Sequence, residues 1–96
     1  WVRLAPEAFA GFMPAAEAMI RASRAEAGCL DYAYARDLLD PDIVRIAERW
    51  QDDAAMAAHF ETPHLIAFRQ TLATLDIKAG AVHVYAGEHK RALIER

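Results

Sequence analysis

One cysteine, Cys29, stands in 96 residues. A lone thiol excludes a disulfide framework and fits a reducing compartment, so a cytoplasmic setting is expected. Nowhere does an apolar run approach the ~18–20 residues that a transmembrane helix needs. Basic residues are not in excess: eleven Lys and Arg against fourteen Asp and Glu leave a net charge of −3. The one basic knot, Lys90-Arg91, reads as a solvated tail, so neither nucleic acid nor membrane is expected as a partner. No signal-peptide pattern opens the chain, and internal repeats and low-complexity tracts are lacking. Metal-ligand spacing is lacking as well, because His59 and His64 are five apart across a helix break with no Cys, His or carboxylate cluster beside them. No metal and no other cofactor is expected.

What the chain does have is apolar surface. Hydrophobic residues make up 55%, above the roughly 45–50% usual for soluble domains, and alanine supplies much of the excess. Small side chains suit close helix packing and an oligomer interface. The length gives a single domain, residues 1–96, burying roughly 60–65% of its unfolded surface. That supports one sheet and one helical layer.

Periodicity gives the elements. Trp1 to Leu4 reads as a short strand. Pro6 suits the first position of a helix; from there Phe9, Phe12, Met13, Ala16, Met19, Ile20, Ser23 and Ala27 recur at three- and four-residue steps as one face. Pro14 should bend or loosen this helix, which ends at Gly28 as a C′ residue. Cys29 to Arg36 is a strand with Leu30, Tyr32 and Tyr34 on one side. The Asp37–Asp42 turn leads into a second strand, Ile43 to Trp50, with Val44, Ile46, Glu48 and Trp50 on one side. Asp52 or Asp53 caps a helix through Phe60. Thr62-Pro63 starts another, reaching about Leu75. Gly80 closes the connection, and Ala81 to Ala86 is the last strand. The order is strand, helix, strand, strand, helix, strand: an α+β, ferredoxin-like βαββαβ fold with helices on one sheet face. The uncovered face, with Ile43, Ala47, Ala33, Ala35, Ala81 and Tyr85, would be a large apolar patch. A second copy packed sheet to sheet would cover it, so a homodimer is expected.

The chemistry is concentrated between Glu48 and His64. In order, Gly28-Cys29-Leu30-Asp31-Tyr32, Asp37…Asp40-Pro41, Glu48-Arg49-Trp50 and Ala58-His59-Phe60-Glu61-Thr62-Pro63-His64 resemble the antibiotic biosynthesis monooxygenase (ABM) domain family, over about Leu4 to Tyr85. The resemblance implies a dimeric α/β barrel with a pocket in each protomer between sheet and helices. It also implies, as one branch, a monooxygenase that oxidises a small quinol or polyphenol with O2 and without flavin or metal. Other branches degrade haem or act as isomerases on a small metabolite. The haem branch carries Trp where this chain has His59, and its iron-binding His where this chain has Arg69, so it fits poorly.

His59 and His64 match the family's "AH" and "PH" histidines, which makes them candidate catalytic bases near neutral pH. The alternative is structural: His64 bonding a loop carbonyl and His59 packing as a polar helix residue. Trp50 and Tyr32, with Phe60 and Phe68 behind, would wall a pocket for a small aromatic substrate, although aromatics at such spacing are often ordinary core. Glu48, facing the helices, would orient a histidine or pair with Arg36 or Arg69. Arg69 would steady a developing oxyanion or lie at the surface. His83 is read as interfacial. A dimer that binds a ligand without catalysis is the remaining possibility.

Overall fold

A computed structural model describes residues 1–96. Its elements are β1 (Val2–Leu4), a 3₁₀ turn (Pro6–Ala8), α1 (Phe9–Arg24), β2 (Cys29–Arg36), β3 (Ile43–Trp50), α2 (Asp53–Phe60), α3 (Pro63–Leu72) and β4 (Ile77–Gly80). The sheet is antiparallel in the order β2-β3-β1-β4, which is the ferredoxin-like arrangement. Both later helices start on the caps visible in the sequence. Asp52 Oδ1 accepts from the Ala55 N–H at 2.8 Å, and Thr62 Oγ1 accepts from the Leu65 N–H at 3.3 Å with Pro63 behind it. Each satisfies a backbone donor that the helix itself leaves free.

In α1, Phe9, Phe12, Ala16, Met19 and Ser23 form the buried stripe. Phe12 is its centre, edge-on to Phe9, stacked on Tyr34 and tilted against Phe68 at centroid distances of 6.2, 6.4 and 6.1 Å. Leu4, Ala5, Ala8 and Val44 close the core around it, while Met19, Tyr32 and Leu65 form a second cluster toward the β2–β3 end. The helix runs through Pro14. Pro14 and Ala10, four residues earlier, are both exposed, so the carbonyl deprived of its donor can be hydrated. No helix is long and apolar enough to cross a membrane.

The structure revises several element boundaries and one side-chain face. The last strand is Ile77–Gly80, not Ala81–Ala86. Its only neighbour is the short β1, with Val2 opposite Gly80. Trp1 and Ala81 still exchange backbone hydrogen bonds at 2.8 and 3.0 Å, and the ladder stops there. Val82, Val84, Tyr85, Leu93 and Ile94 are consequently exposed.

Helix α1 stops at Arg24, not Gly28. Tight turns follow, with Ala25, Glu26 and Cys29 N–H groups donating to Ala22, Ser23 and Glu26 carbonyls. Gly28 has no positive φ; it is there because a Cβ would lie 2.2 Å from Ala55 Cβ. Leu30 does not share the Tyr32 face. The register shifts between Cys29 and Asp31, which bulges Leu30 outward to 57% exposure. The last helix ends at Leu72, followed by turns through Leu75.

The helix-free face is semi-apolar. Asp31, Arg45 and Arg49 lie exposed among Ala33, Ala35 and Ala47. Further exposed apolar side chains lie at Leu38 and Leu39 and in residues 82–94.

Candidate active site

The α1 stripe continues one step past the helix. Phe12, Ala16, Met19 and Ser23 are buried at four- and three-residue spacing, and the next position in that series is Glu26. The close approach of Gly28 to Ala55 brings this turn against α2. There the Glu26 Oε2 lies 2.6 Å from His59 Nδ1 and 2.8 Å from His64 Nε2. One carboxylate oxygen thus bridges two imidazoles, one from the last turn of α2 and one from the first turn of α3.

An ionised carboxylate is only an acceptor, so each neutral ring must present its N–H to it. That sets His59 as the Nδ1–H tautomer and leaves a lone pair on Nε2. His59 is 1% exposed. Its ring lies 4.6 Å from the Trp50 ring and 5.5 Å, edge-on, from Tyr32. His64 is half-buried, with its centroid 5.9 Å from that of His59.

Glu48 does not reach a histidine. It accepts from Trp50 Nε1 at 3.2 Å and so fixes the indole, while Glu26 does the orienting. Nor does Glu48 pair with Arg36 or Arg69. The Arg36 Nε donates to the Pro41 carbonyl, and its guanidinium lies over the Phe9 ring. The Arg69 guanidinium lies 5.9 Å over the Phe60 ring, and both residues are exposed. Phe60 is exposed, yet its ring lies 5.7 Å from that of His59; Arg69 stays at the surface, and Phe68 packs in the core as an ordinary core residue. His83 lies in the segment past β4, with its ring 6.4 Å from Tyr85.

His59, Trp50 and Tyr32 are therefore brought together, with His64 beside them and Glu48 behind the indole. No space lies between Trp50 and Tyr32, because their rings meet edge-on at 6.3 Å and His59 packs against both. A cleft of about 350 Å³ opens instead beside Glu26, lined also by Ala27, Gly28, Gln51, Ala55, Ala58 and Thr62. Its walls are mostly small side chains. Glu26 is the functional candidate that sequence reasoning missed. The available signal was its place on the α1 stripe, where a carboxylate following a buried serine needs a partner.

The tyrosine pair is held neutral. Tyr32 and Tyr34 hydroxyls lie 2.9 Å apart. Burial pushes the Tyr32 phenol up to about 12, partly opposed by the Tyr34 hydrogen bond and reinforced by Glu48. Burial, then Tyr32, also drives Tyr34 upward. The Ser23 hydroxyl is near enough to Tyr32 to lower it slightly, yet it is fully buried and makes no well-formed hydrogen bond. Above the ordinary value of 10.0 the unfolded chain loses its phenolic protons first and binds fewer than the folded one. Stability should therefore fall as pH rises from 10 toward 12, by roughly 3 kcal/mol for Tyr32 alone. Urea unfolding on either side of pH 10.0, with phenolate absorbance followed in parallel, measures this; a flat profile would mean that both phenols ionise freely in the fold.

The antibiotic biosynthesis monooxygenase family model matches residues 2–71. The chain belongs to this family. An uncharacterised Synechocystis protein, sll1783, is 26% identical over 84 residues, covering 88% of this chain and 57% of its own length. The chain thus spans little more than half of that relative. YcnE of Bacillus subtilis, provisionally named a monooxygenase, is 31% identical over 68 residues, covering 71% of this chain and 72% of its own. A crystal structure from Deinococcus radiodurans, provisionally assigned to the antibiotic biosynthesis monooxygenases, superposes with a TM-score of 0.86 at 26% identity. It covers 96% of this chain and 92% of that one. The ABM resemblance read from the motifs thus holds for the family and for the protomer fold.

Proposed function

We propose that this ABM-family protein is a monooxygenase that oxidises a small quinol or polyphenol with O2. The observation that carries this reading is His59, buried against Trp50 and Tyr32 with its Nδ1 held by Glu26. The Nε2 lone pair takes a phenolic proton. The resulting electron-rich ring reduces O2 directly; one oxygen atom enters the ring and the other leaves as water. All the electrons come from the substrate, so this route needs neither flavin nor metal. Glu26 keeps His59 in the tautomer that can act as base and stabilises the imidazolium as it forms. Because His59 is closed over by aromatic rings, binding has to part Trp50 from it, and the indole then becomes one wall of the substrate site.

In this reading the protein works as a homodimer in the cytoplasm. Support for the dimer comes from the helix-free sheet face with Ala33, Ala35 and Ala47 and from the exposed apolar residues Val82, Val84, Tyr85, Leu93 and Ile94, which a second copy would cover. Light scattering at micromolar concentration should give twice the chain mass, and a clean monomer would remove this part of the proposal. Oxygen uptake with menadiol tests the chemistry. Turnover that persists without oxygen would favour an isomerase-type reaction on the same histidines.

A further inference from the structure

We propose that Glu26, His59 and His64 form a binding site for one divalent transition-metal ion of the zinc type. The spacing of the two histidines gave no reason to expect a metal, because the third ligand comes from 33 residues before His59. Folding brings one ligand atom from each residue to within 4.8 Å of the others. Glu26 Oε2 is already 2.6 and 2.8 Å from the two ring nitrogens.

An ion bound at about 2.0–2.2 Å from nitrogen and oxygen holds neighbouring ligand atoms about 3–3.5 Å apart. The carboxylate therefore has to withdraw by only about half an ångström, and one bond rotation in a glutamate on a turn supplies that. The two ring nitrogens, which lie up to 4.8 Å apart, have to close by about an ångström, and small side-chain rotations, freer at the half-buried His64, supply that. Two neutral imidazoles and one carboxylate suit zinc, cobalt and nickel and suit magnesium and calcium poorly. The site is also reachable. His59 is buried, but His64 and Glu26 are half-buried and the 350 Å³ cleft borders Glu26, leaving room for water as a further ligand.

The inference does not depend on the oxygenase reading, but the two interact. The ion and the N–H groups compete for the same three atoms, and a bound metal removes the hydrogen bond that sets the His59 tautomer. Occupancy should therefore inhibit quinol oxidation.

The test uses the full chain without an affinity tag, stripped with chelator, and titrated with Zn²⁺ by calorimetry and with Co²⁺ by visible absorption. One ion per chain should bind with micromolar or tighter affinity, and cobalt should show the intense bands of a low-coordinate nitrogen–oxygen site. Glu26→Gln should weaken binding at least tenfold, and His64→Gln, at the more exposed ligand, should do the same. Circular dichroism identifies whichever variant is unfolded, and the folded one decides. A His83→Ala/His89→Ala variant should bind as the parent does. The proposal is overturned by no saturable binding at millimolar metal, by binding indifferent to Glu26→Gln or His64→Gln, or by binding lost with the tail histidines. Heat and absorption report on the ion alone, so their failure leaves the oxygen-uptake result to stand or fall separately.

Discussion

His59→Ala should slow quinol oxidation by about 10²–10⁴-fold, the range expected when a positioned general base is removed. The loss should fall on kcat, because the imidazole acts on a proton in flight and contributes little to holding an aromatic ring. Part of any effect could come from packing, since His59 lies against Trp50 and Tyr32 and is 1% exposed. Thermal melting of the variant separates the two contributions: a folded protein with lost turnover points to the base. Ile66→Ala is the surface control. Ile66 stands on the neighbouring helix α3 at 49% exposure, and its loss should change turnover by less than about threefold if surface substitutions are near neutral. Equal rates for His59→Ala and the parent would remove the catalytic assignment.

The largest stability loss is expected at Phe12. Its ring touches Phe9, Tyr34 and Phe68 and is 2% exposed. Phe12→Ala should cost about 3–5 kcal/mol, the sum of lost transfer energy and an unfilled void. Against a total of roughly 5–15 kcal/mol for a domain, this is a large fraction. At about 4–8 °C per kcal/mol for a chain of this size, the melting point should fall by tens of degrees. Phe12 also lines a small cleft of about 140 Å³ with Ala16, Ile20 and Val44, so the void would adjoin existing space and resist collapse. The neighbouring Met13→Ala, at 45% exposure, should change stability by less than about 1 kcal/mol. Similar melting points for the two variants would mean that the core is not organised around Phe12.

Element order was legible because each helix announces itself chemically. Asp52 and Thr62-Pro63 are caps whose bonds the structure contains, and Val44, Ile46, Glu48 and Trp50 alternate as a strand buried on one side. The last strand was not legible from its own residues. Ala81 to Ala86 has the stronger alternation, but the residues opposite β1 are Ile77, Ala79 and Gly80, a pairing that alternation alone does not fix. Leu30 failed for a related reason: a bulge shifts the face of one residue without marking the sequence. At the site, the motif residues His59, Trp50 and Tyr32 lie against one another in the fold. The orienting carboxylate was assigned to Glu48 because it shares a strand face with Trp50. Glu26 was hidden because its partners lie 33 and 38 residues away, and no local spacing rule reaches that far.

Those separations also bear on how the protein comes to life. The carboxylate and its two imidazoles meet only after the whole β2–β3 hairpin has formed and α2 and α3 have docked, a long loop closure whose chain entropy must be met before the contact can contribute. A nascent or partly refolded chain would carry freely rotating histidines and no fixed tautomer. Recovery of the proposed quinol oxidation after dilution from denaturant should accordingly trail the return of helical signal, because the Glu26–His59–His64 contact is completed late.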